Sequence, residues 1–168
     1  MNSFLCKTFL KMTQHIKKPA VLILADGTIV HGNAFGKIGT ATGEICFNTG
    51  MTGYQEVITD PSYQGQIVAM TYPLVGNYGI NDEDMESAGI HLEGFIVKEY
   101  QPNPSNWRMK KSLKAFLEEK GKIGLEGIDT RALTRRLRLS GSMKGMISTR
   151  STDIHELLEK VRVYPGLV

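Results

Sequence analysis

The pattern of hydrophobic and polar residues changes at about residue 112. Before that point, short apolar runs are separated by turns rich in glycine and proline, a pattern that predicts β-strands. These runs cover residues 20–25, 28–35, 44–48, 66–71 and 90–99. Asp26 and Gly27 separate the first two runs, and an Asp-Gly pair between two strands predicts a hairpin.

After residue 112, apolar residues recur at helical spacing, and the helical segments alternate with apolar runs. Helices are predicted at residues 112–120, 130–139 and 154–161, and strands at residues 123–128 and 143–149. Asp129 is placed to cap the second helix and Gly141 to end it. Alternating strands and helices imply crossover connections and some parallel sheet. We predict one compact α/β domain: a hairpin-rich β layer, a second sheet, and helices packed on it.

The first 18 residues differ from the rest of the chain, since they contain no acidic residue and no periodic pattern. Lys7 and Lys11 interrupt any apolar core, which argues against a secretory signal. An organelle-targeting peptide and a misassigned extension ahead of a start at Met12 both stay open. We therefore predict a head at residues 1–18 that is disordered or misassigned, a folded domain at residues 19–163, and the start of a linker at residues 164–168.

The charge is divided unevenly, although the net charge of the 168 residues is only +3. Residues 26–107 carry two basic and ten acidic side chains, whereas residues 108–150 carry twelve basic and four acidic ones. We interpret this as an ordinary dipolar surface; the alternative is that one half faces a charged partner. A composition of 41% hydrophobic and 22% charged residues is that of a globular domain, and excludes collagen-like, coiled-coil and disordered chains.

Few residues have the spacing of a catalytic or metal site. Cys46 lies in an alternating strand pattern, which is typical of a buried, unreactive thiol. The four histidines lack metal-ligand spacing, and no phosphate-binding glycine motif occurs. No apolar run approaches the roughly 18–20 residues that span a bilayer. The two cysteines make no disulfide framework, so we expect a reducing compartment, the cytoplasm.

Arg131 and Arg135 lie one turn apart on the predicted helix at residues 130–139. We favour a solvated face opposite Leu133 and Leu137. A salt-bridged interface with another chain is a second interpretation, since arginine is common at interfaces. Nucleic-acid binding is a weaker third, because the helix lacks the aromatic side chains on which bases stack.

A stretch between the third and fourth predicted strands fits no simple period. It contains, in order, Phe47-Asn48-Thr49-Gly50-Met51-Thr52-Gly53-Tyr54-Gln55-Glu56 and then Thr59-Asp60-Pro61-Ser62-Tyr63. Asp60 suits a helix cap and Pro61 the first helical position, which predicts a turn or a single helical turn. Glycine lets backbone amides approach a ligand or a neighbouring chain, so the stretch is either functional or a tight turn network. The residues alone leave both interpretations open.

These segments, with Thr71-Tyr72-Pro73 and Gly76-Asn77-Tyr78-Gly79 after them, resemble the small chain of glutamine-hydrolysing carbamoyl-phosphate synthetase. The resemblance continues through Ile128-Asp129-Thr130-Arg131-Ala132-Leu133-Thr134-Arg135 and ends near residue 167. It covers residues 19–168 and only the N-terminal of the family's two domains. It implies a swivelling β/β/α domain, with a central parallel sheet, a second antiparallel sheet and helices on one side.

The resemblance implies a function that several domains share. The whole enzyme makes carbamoyl phosphate from bicarbonate, glutamine and ATP, and ammonia released by the small chain travels through a tunnel to the large chain. The Cys–His–Glu triad belongs to a class I amidotransferase domain, expected beyond Val168, so this chain alone is expected to be inactive and to hold no cofactor. The expected partners are the large synthetase chain, the amidotransferase domain and glutamine, and not a membrane or nucleic acid.

The resemblance also points to individual residues. Ser62 matches the family serine that helps bind glutamine, and a hydroxyl on a proline-fixed turn can donate to a carboxylate, although a turn-capping role stays open. An interdomain or intersubunit surface is expected at Asn48, Thr49, Met51, Thr52, Gly53, Tyr54, Gln55, Glu56, Arg131 and Arg135. Two other interpretations remain: a stand-alone interaction module that reuses the fold, and a nucleic-acid binder through residues 108–150.

Overall fold

The computed structural model describes residues 17–151 and 153–166, which contain nine strands and four helices. The strands are β1 Lys18–Leu24, β2 Ile29–Gly36, β3 Thr40–Asn48, β4 Gln66–Met70, β5 Leu74–Val75, β6 Gly94–Ile96, β7 Glu99–Tyr100, β8 Ile123–Glu126 and β9 Met143–Ser148. The helices are α1 Tyr54–Thr59, α2 Leu113–Glu119, α3 Thr130–Ser140 and α4 Ile154–Val163, and a 3₁₀ turn spans Pro61–Tyr63. Residues 1–16 of the predicted head and residues 167–168 of the predicted linker lie outside the described residues.

Seven strands close into one barrel, in the order β1-β2-β8-β6-β4-β3-β9. The run β3-β4-β6-β8 is parallel, and the run from β8 through β2, β1 and β9 back to β3 is antiparallel. The strands β5 and β7 form a separate two-stranded parallel sheet. In the parallel run, Asn48 pairs with Met70, so the chain leaves β3 and β4 at the same edge of the barrel.

The predicted mixed α/β class is confirmed, but the arrangement of its layers differs from the prediction. Parallel and antiparallel strands belong to one closed barrel rather than to two sheets. The two runs are joined at β3 and β8, because each of these strands has one parallel and one antiparallel neighbour. The small separate sheet is parallel, not antiparallel. The helices surround the barrel instead of covering one side, since α2 packs on β2 and β8 whereas α4 packs on β1 and β9.

The barrel interior is filled by alternate residues of its strands. Leu22, Ile45, Ile67, Leu125 and Ile147 are 0–1% exposed and belong to one apolar cluster, as a period of two requires. The interior is narrow: a Cβ atom added at Gly94 would lie 2.9 Å from Cδ1 of Ile147. Some of the glycine in this chain therefore serves close packing across the barrel rather than turns.

The helix α3 packs over the barrel interior, because its Leu133 and Leu137 join the same cluster. Asp129 caps it as predicted, its side chain accepting a hydrogen bond from the Ala132 N–H at 2.9 Å. Gly141 follows its last residue, Ser140. The outward residues of the parallel strands form a second cluster with α1 and α2, and a third cluster joins α4 to β1 and β9.

The predicted hairpin is confirmed, with β1 and β2 joined by a short loop in which Gly27 has φ of 89°. The predicted strand at residues 90–99 is shorter, since only Gly94–Ile96 pairs in the barrel. The six-residue α1 was not predicted, because less than two turns of helix shows no clear period. No helix in the described ranges is long and apolar enough to cross a membrane.

Candidate functional site

Asn48 ends β3 and ties the following loop to the barrel. Its Oδ1 accepts a hydrogen bond from the Gly50 N–H at 2.7 Å, and its Nδ2 donates to the Tyr63 hydroxyl at 2.9 Å. Its carbonyl accepts from the N–H of Thr71 at 3.0 Å. One side chain thus joins the glycine-rich loop to the 3₁₀ turn that carries Ser62.

The start of α1 is capped from a distance by Tyr78. Gly53 precedes the helix with φ of 82°, and no side chain next to it caps the helix. The Tyr78 hydroxyl accepts hydrogen bonds from the N–H groups of Gly53 and Tyr54, at 3.1 and 3.0 Å. Burial raises the pKa of Tyr78, and the Glu56 carboxylate raises it further, so the hydroxyl stays protonated at neutral pH.

Tyr54 and Tyr78 also pack against each other. Their rings stack with centroids 4.1 Å apart, and the Tyr54 hydroxyl donates to the Gly79 carbonyl at 2.6 Å. Burial raises the pKa of Tyr54 well above its ordinary value. Residues 78 and 79 are therefore held to the start of α1 by one aromatic pair and three hydrogen bonds.

Gln55 is fully buried, and its amide pairs with the backbone of Asn81. Its Nε2 donates to the Asn81 carbonyl at 2.6 Å, and its Oε1 accepts from the Asn81 N–H at 2.9 Å. The Asn81 side chain donates to Asp84 at 2.7 Å, and Arg108 donates to Asp84 at the same distance. The hydrogen bonds from Asn81 and Arg108 lower the pKa of Asp84.

Ser62 is exposed on the 3₁₀ turn. Its N–H donates to Oδ1 of Asp60 at 2.8 Å, and Pro61 occupies the first helical position, as the sequence predicts. The hydrogen bonds from the Ser62 N–H and hydroxyl lower the pKa of Asp60. The turn is therefore fixed at neutral pH by an ionised carboxylate, and Ser62 stands at its surface.

The predicted interface residues at positions 48–56 differ in exposure. Thr49, Met51 and Thr52 are exposed, and Met51 is 74% exposed. Tyr54 and Gln55, at 3% and 0%, are used inside the domain. Asn48, Gly53 and Glu56 are half-buried between these groups. The loop thus offers a short exposed tip on a rigid base, while its role as an interface remains a prediction.

Arg131 and Arg135 lie elsewhere, exposed on α3. Arg135 lines a groove between α3 and the β1–β2 hairpin, not the loop that follows Asn48. The predicted residues therefore belong to two surfaces. The 3₁₀ turn of Ser62 leads into the amino end of β4, whereas α3 and the loop after Asn48 follow the carboxyl ends of the parallel strands β8 and β3.

Tyr78, Asn81 and Arg108 also belong to this region, although they were not among the predicted site residues. Tyr78 carried a signal, since a large aromatic residue in the glycine-rich segment at residues 76–79 suggests a packed ring. No sequence pattern indicated Asn81 or Arg108. They lie 27 residues apart in sequence, and only the fold brings both to Asp84.

The described residues offer little chemistry of their own. Cys46 is half-buried, and burial raises the pKa of its thiol to about 11, so it is protonated at neutral pH. No group of three or more His, Cys, Asp or Glu side chains in the described part of the chain could hold a metal ion. The side chains of the region position hydroxyl and amide groups through hydrogen bonds.

The model of the family "Carbamoyl-phosphate synthase small chain, CPSase domain" matches residues 22–147. The chain belongs to this family. The family expected from the sequence is thereby confirmed, and the matched range includes the loop after Asn48, Ser62, Tyr78 and most of the barrel.

Curated members of the family are similar to this chain over most of its length. The carbamoyl phosphate synthase small chain of Nitratidesulfovibrio vulgaris is 57% identical over 148 residues, covering 88% of this chain and 40% of the relative. The small chain of Aquifex aeolicus is 53% identical over 152 residues, covering 90% of this chain and 41% of the relative. The chain thus spans about two fifths of the length of the curated relatives it matches.

Among solved structures, an aminopeptidase from Aneurinibacillus is similar with a TM-score of 0.46 and 16% identity, covering 77% of this chain and 30% of that one. A similarity this distant supports no statement about function.

Proposed function

We propose that this chain acts within a carbamoyl-phosphate synthase, as the N-terminal domain of its small chain. The family match over residues 22–147 carries the proposal. The domain docks on the large chain, in a cytoplasmic heterodimer that makes carbamoyl phosphate from glutamine, bicarbonate and ATP. It helps to complete the glutamine site, needs no cofactor of its own, and does not hydrolyse glutamine alone.

Ser62 is the proposed contact with glutamine. Its exposure supports this role, and so does the order of its turn, whose amino end is fixed by the Asp60 cap and by Pro61. A hydroxyl can rotate to donate one hydrogen bond to a carboxylate or to accept one from an ammonium group. Because the turn is already ordered, binding would cost little conformational entropy at this position.

The exposed tip at Thr49, Met51 and Thr52 is the proposed contact with the amidotransferase domain. Asn48 supports this proposal, because its hydrogen bond to Tyr63 links the tip to the turn that carries Ser62. A domain that meets the tip would therefore also lie near the proposed glutamine contact. The protonated thiol of Cys46 agrees with the proposal that the nucleophile is supplied by that other domain.

Sedimentation velocity tests the docking directly. We expect the 168-residue chain, mixed with the purified large synthetase chain of the same organism, to give one faster one-to-one species at micromolar concentrations. As a control, a complete small chain should displace it, since both use the same site. Two independent species would contradict the docking proposal and favour a stand-alone interaction module.

A further inference from the structure

A groove of about 580 Å³ lies between α3 and the β1–β2 hairpin. Leu24 and Val30 line it from the hairpin, and Leu133 and Leu139 line it from the helix. Leu139 is 88% exposed, whereas Leu133 and Leu137 on the same helix are buried. The groove is thus open, mainly apolar, and ends at an exposed aliphatic side chain.

The groove is lined by charged side chains of both signs, because Asp129, which caps α3, lies among them. Arg135 and Arg136 line it, and Arg136 is paired with Asp26 at 2.6 Å. Within residues 17–151 and 153–166, Arg131, Arg135 and Arg138 make no ion pair. Among the described residues, Arg135 is therefore the arginine that lines the groove without an ion pair, and its guanidinium is a donor that matches a carboxylate.

The lining residues of α3 follow one face of the helix. Ala132, Arg135, Arg136 and Leu139 recur at intervals of three and four residues, whereas Arg138 lies off this face and does not line the groove. An amphipathic segment laid along the groove would meet alternating aliphatic and cationic side chains. This is how helices or extended segments are bound in protein grooves.

We infer that this groove binds an acidic amphipathic segment of the large synthetase chain. Its apolar side chains pack against Val30 and Leu139, and its carboxylates pair with Arg135. The inference rests on the proposed function, and it assigns the large chain to α3 while the surface of Ser62 and Met51 faces the amidotransferase domain.

Other occupants have the wrong chemistry. A second copy of this chain would bring two arginine-rich faces together, and like charges facing each other are unfavourable. The first 18 residues carry four lysines and no acidic residue, so they are repelled in the same way. Nucleic acid would pair with the arginines but not with the apolar lining, and α3 has no aromatic side chain for stacking.

Binding of matched variants to the purified large chain tests the inference. We expect Arg135→Glu and Leu139→Asp each to weaken the one-to-one complex roughly tenfold or more, because both remove contacts in the groove. Arg138→Glu makes the same charge change on α3 outside the groove, and Val163→Asp the same apolar-to-acid change on α4, where Val163 is 77% exposed. These controls should change the Kd by less than about threefold.

Hydrogen exchange on the unaltered chain gives a readout that does not depend on any variant. We expect amides at residues 24–30 and 130–140 to gain protection when the large chain binds. A complex of the unaltered chain that shows no protection there, and that all four variants form equally well, would overturn the groove assignment while leaving the docking proposal in place. No complex at all would overturn both.

Two outcomes would assign the groove to another occupant. If the chain alone forms dimers that Leu139→Asp abolishes, the groove is an interface between copies. If a labelled single-stranded oligonucleotide binds and both Arg135→Glu and Arg138→Glu weaken it alike, the arginines serve nucleic acid. Either result would contradict the inference.

Discussion

The surface around α1 and the surface of α3 are built in opposite ways. Around α1, buried side chains hold the backbone: the Tyr78 hydroxyl caps the helix, and Gln55 pairs with Asn81. In α3, apolar residues pack against the barrel. The outer face of the helix contacts the rest of the domain through the Arg136–Asp26 ion pair. The first surface is held by several buried hydrogen bonds, whereas the outer face of α3 is held by one ion pair.

This difference suits the two proposed tasks. Contact with a small molecule such as glutamine needs a hydroxyl at a fixed position, and the network behind Ser62 and Asn48 provides it. Docking of another chain needs area and charge, which an amphipathic helix provides at low cost in stability. Substitutions near α1 should therefore change folding, while substitutions on the outer face of α3 should change binding only.

The largest expected effect separates the two faces of α3 itself. Leu137 is 4% exposed and Leu139 is 88% exposed, so the same substitution tests both faces. Leu137→Ala should lower the free energy of unfolding by about 2–5 kcal/mol, because it leaves a cavity in the core. Leu139→Ala should change it by less than about 0.5 kcal/mol. Urea denaturation measures both, and equal losses would show that the outer face is also structural.

A smaller loss is expected where the α1 network is broken. Gln55→Met keeps the volume but leaves the buried N–H and carbonyl of Asn81 unpaired, which should cost about 2–3 kcal/mol in urea denaturation. Gln64→Met, on the exposed side of the neighbouring turn, is the matched control and should cost less than about 0.5 kcal/mol. If the two variants are equally stable, Gln55 does not organise this surface.

Loss of the Tyr78 cap on α1 should lower the free energy of unfolding by a smaller amount. Tyr78→Phe keeps the stacked ring but removes the acceptor for two N–H groups, so we expect a loss of about 1–2 kcal/mol. Tyr72, which is 38% exposed, gives the control Tyr72→Phe, with no measurable loss. Faster hydrogen exchange at Gly53 and Tyr54 in the first variant would identify the cap as the cause, and unchanged exchange there would refute it.

The smallest expected effect is the acid sensitivity of the turn that carries Ser62. Hydrogen bonds from Ser62 lower the pKa of Asp60 below its ordinary value of 3.8. Such a carboxyl adds stability above its unfolded pKa, and this stability is lost as the pH falls through the folded value, below about pH 4. Asp60→Asn should therefore flatten part of the fall in urea midpoint between about pH 6 and pH 3, and an unchanged pH dependence would contradict this role of the carboxylate.

The same contrast explains what could be predicted from the sequence. The sequence predicted α3 correctly, because eleven positions are enough to show a period of 3.6 residues with Leu133 and Leu137 facing inward. Asp129 directly before this segment predicted the cap. Six residues are too few for α1 to show a period. Its partners Tyr78 and Asn81 follow more than 20 residues later, and local patterns carry no information on such pairs.

Closure of the barrel also lay beyond the sequence analysis. The strands β8 and β2 pair although 87 residues separate the start of one from the end of the other, and β1 and β9 lie at opposite ends of the described chain. Apolar runs along the chain predicted the strands of the barrel. The order in which the strands pair depends on which strand faces pack together in the barrel interior, and this is not visible in any one segment. Ser62 was found only through the family resemblance, since an exposed serine on a turn has no distinguishing pattern.

The most direct test of the proposed function is Ser62→Ala in a complete small chain that includes the amidotransferase domain, assembled with the large chain. We expect the KM for glutamine to rise roughly tenfold, because one hydrogen bond to the substrate is lost, while ammonia-dependent synthesis of carbamoyl phosphate is unchanged. Ser105→Ala, at another exposed serine, should leave both activities intact. Equal loss of the glutamine- and ammonia-dependent activities, or no change in either, would contradict the account.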